Sequence, residues 1–102
     1  MVIKMFVIAV RIELIIDEAY SLKDKRSIVK SMLVKLQQKY KLSGAEVDGL
    51  DKVNVATIGL AIVANDLRYA QSVLQKAVNF IDVSYPIEII AIEWLDGVGE
   101  YD

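Results

Sequence analysis

Two segments of helical periodicity, Ser21 to Tyr40 and Asn65 to Ile81, alternate with runs rich in Val and Ile, and this alternation limits the possible folds more than any other feature. Over residues 2–16 the polar side chains Arg11 and Glu13 stand two apart, the spacing of a strand, so Phe6, Ile8, Val10, Ile12 and Leu14 share one face. Ser21-Leu22-Lys23-Asp24 then reads as a helix N-cap with an acid three residues on, a short-acid capping box. In the helix that follows, Leu22, Val29, Leu33, Leu36 and Tyr40 form the core-facing stripe. Ser43-Gly44 is expected to end it, because glycine tolerates a left-handed cap.

Ala45 to Val47 and Val53 to Ala64 read as strands joined by the turn residues Asp48 to Lys52. Asn65 or Asp66 caps a second helix whose stripe is Ala70, Val73, Leu74, Ala77 and Ile81. Pro86 opens a last strand, Ile87 to Leu95, at a position where a missing amide donor does least harm. At 102 residues there is room for one domain. The order predicts an α+β ferredoxin-like plait, a four-stranded antiparallel sheet with two helices on one face. The domain is expected over 1–96, with 97–102 a short flexible C-terminal tail.

On this reading Ile3, Met5, Val7 and Ala9 point away from the helices, joined by Val55, Thr57, Gly59, Ala61 and Val63, with Ile89 and Ala91 added from the last strand. A sheet face open to water normally carries polar side chains, and this one does not. The expectation is a homodimer or higher homo-oligomer, with Met5, Val7, Ala9, Thr57, Gly59 and Ala61 as interface candidates. The competing reading puts the helices on the other parity or breaks the phase with a bulge. Base stacking on the sheet, as in RNA-recognition motifs, is not expected, because Met5, Val7, Thr57 and Gly59 stand where the aromatics would be needed.

Charge is distributed unevenly. Of twelve basic residues, seven lie in Ser21 to Lys41 against the single acid Asp24, so this segment carries +6 within a chain of net charge −2. Lys23, Lys25 and Arg26 crowd a helix N-terminus, whose dipole favours acids, and first-turn amides with nearby cations suit a phosphate. Ser21, Lys23, Lys25, Arg26 and Lys30 are therefore the candidates for anion or RNA binding. Lys25 falls inside the apolar arc and must reach past the sheet edge or pair with an acid. The bland alternative is a solvated helix whose lysines pair with Asp17, Glu18 or the acidic tail.

The chain has no cysteine and no histidine, which removes disulfides, thiolate metal sites and the usual neutral-pH general base. Asp48 and Asp51 read as turn formers, Ser21 and Ser27 lack a histidine partner, and Asp17-Glu18-Ala19-Tyr20 has no glycine for a phosphate loop. No catalytic residue, metal or cofactor is expected. Lys4, Arg11 and Glu13 interrupt the apolar opening, so a signal peptide or membrane anchor is not expected and a cytoplasmic protein is.

The run Ser21-Leu22-Lys23-Asp24-Lys25-Arg26-Ser27, then Ala45-Glu46-Val47-Asp48 with Asp51, then Ile58-Gly59-Leu60-Ala61 followed by Asn65-Asp66, resembles the YlxP-like family of small uncharacterised bacterial proteins. The resemblance covers nearly the whole chain. It implies a ferredoxin-like fold, a bacterial cytoplasmic location and no assigned activity. Because family genes often neighbour translation-initiation and ribosome-maturation genes, it also implies, by association only, an accessory role with RNA or the ribosomal particle. Where many relatives carry a tryptophan after the hairpin turn, this chain has Val53-Asn54-Val55, so no role of that aromatic is carried over. The alternative function is an oligomeric module that binds a small anionic ligand, or that has a purely structural or interaction role.

Overall fold

A computed structural model describes residues 3–101. The elements are β1 (Ile3–Ile16), α1 (Leu22–Tyr40), β2 (Ser43–Asp48), β3 (Val55–Ala64), α2 (Leu67–Ser84) and β4 (Ile87–Tyr101). The strands form one sheet in the order β2-β3-β1-β4, and every neighbouring pair is antiparallel. This is the ferredoxin-like α+β plait.

Alternation sets the core. Ile8, Val10, Ile12, Leu14 and Ile16 of β1 and Ala56, Ile58, Leu60 and Ile62 of β3 are buried beneath the helices. Val29, Met32 and Leu36 of α1 and Ala70, Leu74, Ala77 and Ile81 of α2 close over them. Each large aliphatic side chain taken out of water contributes about 1.5–3 kcal/mol.

The start of α1 is held by its cap. Ser21 is extended, with φ −151° and ψ 164°, and its hydroxyl oxygen accepts from the Asp24 amide at 3.1 Å. The Asp24 carboxylate in turn accepts from the Tyr20 amide at 3.2 Å. The end of α1 differs from expectation: the left-handed residue is Lys41, with φ 53°, and its amide donates to the Gln37 carbonyl at 3.0 Å. Ser43 and Gly44 already belong to β2. Gly44 answers a steric demand instead, since a Cβ there would lie 2.9 Å from Leu60 Cδ2 and 3.0 Å from Leu33 Cδ2.

β4 also departs from the sequence reading. The backbone of Gly97 to Tyr101, expected as a tail, continues β4, with Gly97 opposite Val7 and Tyr101 opposite Ile3. The long β1 supplies the edge for this ladder, pairing with β4 from Ile3 to Ile16. Asp102, at the end of that expected tail, and Met1 and Val2 lie outside the described residues. A register shift between Glu13 and Leu14 puts Ala91 opposite Glu13 and Ile89 opposite Leu14. Ile89 therefore packs against the core rather than on the open face, while Ala91 is exposed.

Candidate nucleic-acid interface

Lys25 is the most constrained cation of the molecule. It projects from the first turns of α1 towards the β2–β3 turn and is 0% exposed. Its ammonium donates to the Lys52 carbonyl at 2.6 Å and to the Gly49 carbonyl, and stands 2.8 Å from Glu46 Oε2. Gly49 adopts φ 73°, a left-handed conformation that favours glycine, and its amide donates to Asp48 Oδ1 at 2.7 Å. Glu46 lies opposite Ile58, on the helix-bearing side of the sheet, so its carboxylate approaches Lys25 from below. Glu46 Oε2 accepts no hydrogen bond of good geometry, so the nearby ammonium charge is what balances it. A buried pair of this kind contributes little net stability, but removing one partner strands the other charge.

Lys25 was a candidate phosphate ligand from sequence, and its burial corrects that expectation: all of its donors point inward. Ser21 is likewise occupied, as the cap acceptor. The Asp24 carboxylate sits in the first turn and supplies the negative charge that the helix dipole favours. The first-turn amides are thus not an open anion nest.

Three candidates remain at the surface. Lys23, Arg26 and Lys30 are exposed and recur at intervals of three and four residues along one flank of α1. Arg26 and Lys30 border a shallow groove of about 320 Å³ floored by Val29, Leu33 and Val34, with Gln37 and Glu46 on its walls. Gln37 Nε2 donates to the Gly44 carbonyl at 3.2 Å, tying this flank to β2. Among the described residues the ion pairs are Arg11–Glu93 and Lys25–Glu46, so Lys23, Arg26 and Lys30 have no carboxylate partner and Asp17 and Glu18 neutralise none of them.

The opposite flank is closed by aromatic packing. Lys39 Nζ lies 4.6 Å from the Phe80 ring centroid and 5.8 Å from that of Tyr40, and Lys35 Nζ lies 5.6 Å from that of Tyr85. Those rings meet edge to face, at 6.1 Å for Tyr40–Phe80 and 6.4 Å for Phe80–Tyr85. The two flanks of α1 are therefore unequal.

One feature escaped the sequence reading. The Tyr20 side chain is 83% exposed while its amide is fixed by Asp24, which leaves an open ring just before the start of α1. Its position just before the N-cap, off the apolar stripe, was the available signal. The six interface candidates lie on the open side of the sheet, with Met5 exposed and Val7, Ala9, Thr57, Gly59 and Ala61 half-buried. Gly59 lies beneath Val47, whose Cγ1 would be 3.3 Å from an added Cβ.

The fold and its one basic helix define a small α+β plait protein, and no three Asp or Glu side chains among the described residues gather into a metal site. Among the described residues no helix is long and apolar enough to cross a membrane. The chain belongs to the family described as "Protein of unknown function (DUF503)", whose model matches residues 7–94. It is 34% identical over 84 residues to the uncharacterized protein YlxP of Bacillus subtilis (strain 168), a match covering 80% of this chain and 91% of that protein.

Proposed function

We propose that this is a non-enzymatic RNA-contacting protein that grips phosphates with Lys23, Arg26 and Lys30 and offers the Tyr20 ring to an unpaired base. The observation that carries the reading is the alignment of three exposed cations, without a carboxylate partner among the described residues, along one flank of α1. Spacing along one flank lets the three follow a sugar–phosphate backbone, and an exposed aromatic at one end is the usual companion of such a track. A small anion at the helix start is less well supported, because Asp24 already occupies that turn.

The test is binding to a structured RNA at two salt concentrations, comparing wild type with Lys23→Glu/Arg26→Glu. Wild type should bind and weaken as salt rises, each neutralised phosphate adding roughly 0.7–0.9 to the slope of log affinity against log salt. Equal, negligible binding by both proteins would sink the proposal.

A further inference from the structure

The open face of the sheet is divided along the strands. On the β3–β1–β4 side Val7 neighbours Val63, and Ala9 stands between Ala61 and Leu95, so the rows nearer the start of β1 are apolar. The next row holds Arg11 between Gly59 and Glu93, and these two side chains form an ion pair in the open, 49% and 51% exposed. Val63 is 63% exposed and Leu95 45%, in a face that carries no aromatic ring for bases at its centre.

We infer that this face is the seat of a second copy of the chain. Two properties select that occupant. The first is charge: a two-fold axis running along the strands sets each row of one copy against the same row of the other. Apolar rows then meet apolar rows, while Arg11 and Glu93 enter already paired within each copy, so no charge is buried unpaired. The second is area. Ten residues of β3 at about 3.4 Å each, across four strands about 4.8 Å apart, give a face of roughly 600 Å² per copy, or roughly 1,200 Å² for the pair. That reaches the lower end of the range for specific interfaces. Ala9, Gly59 and Ala61 leave the centre low, so two twisted sheets can approach to the usual separation of about 10 Å. An RNA partner on this face would instead call for cations and rings, which the structure places on α1.

The experiment is the solution mass of the full chain at about 20 µM by sedimentation equilibrium. Twice the 11.4 kDa of one chain is expected, and Val63→Glu and Ala9→Arg should each weaken self-association at least tenfold. Val63→Glu changes a mostly exposed side chain, so an unaltered circular dichroism spectrum and melting curve will separate loss of association from loss of fold. Arg11→Glu should also favour the monomer, and Arg11→Glu/Glu93→Arg should restore the dimer. A monomeric wild type overturns the inference. So does a dimer indifferent to both Val63→Glu and Ala9→Arg, which would place association elsewhere, such as the unpaired outer edge of β4.

Discussion

Lys25 and Arg26 are adjacent in the chain, carry the same charge and occupy opposite environments. Lys25 is sealed under the β2–β3 turn with its donors on Gly49 and Lys52 and its charge against Glu46, whereas Arg26 borders an open groove with no carboxylate partner among the described residues. A step of one residue along a helix turns a side chain by about 100°, which is enough to move it from the core-facing arc to the outer flank. A run of cations in sequence is thus two devices in space, a structural clamp and a solvent-facing track. Only the second is free to meet a partner.

The largest expected effect separates these devices by stability. Lys25→Met leaves the Glu46 carboxylate buried without its balancing charge and should lower unfolding free energy by about 3–5 kcal/mol. Lys25→Met/Glu46→Met should recover most of that loss in urea denaturation, because the stranded charge is gone. A single variant within about 1 kcal/mol of wild type would break the distinction between clamp and track.

The closeness of α1 to β2, on which the groove depends, predicts the next effect. Gly44→Val should destabilise by about 1–3 kcal/mol, as its side chain is driven into Leu33 and Leu60, and a melting curve reads the change. On the free flank the expected loss is one of binding. Lys23→Glu/Arg26→Glu/Lys30→Glu should weaken RNA affinity at least tenfold, about 1.4 kcal/mol, with little change in melting temperature. The smallest effect contrasts the two flanks of α1: Lys39→Ala removes a cation from above Phe80 and should cost about 0.5–1 kcal/mol of stability, whereas Lys30→Ala should change stability by less than about 0.5 kcal/mol.

Much of the fold was legible because its signals are local. The period of two in β1 and β3, the Ser21–Asp24 cap and the α2 stripe each depend on neighbours within a few residues, and each stands where its spacing indicated. What was not legible depends on residues far apart in sequence. The left-handed Lys41 replaced the expected glycine because close contact between α1 and β2 needs Gly44 inside the strand. The β1–β4 bulge shifted Ile89 to the core side, a phase change that no short window records. At the candidate site, the wheel placed Lys25 in the apolar arc, where it had either to reach past the sheet edge or to pair with an acid, but Glu46 and the carbonyls of a turn more than twenty residues away could be named only in three dimensions. The exposure of Tyr20, by contrast, had a local signal in its position just before the N-cap.

The central claim is that the free flank of α1, and not the clamp beside it, meets phosphate. The measurement that tests it most directly is the salt dependence of RNA affinity for three proteins: wild type, the Lys23/Arg26/Lys30 triple reversal and Lys25→Met/Glu46→Met. The triple reversal should lower the slope of log affinity against log salt by about 2–3, while the double variant keeps the wild-type slope. Equal slopes for wild type and the triple reversal, or a loss confined to the clamp variant, would contradict it.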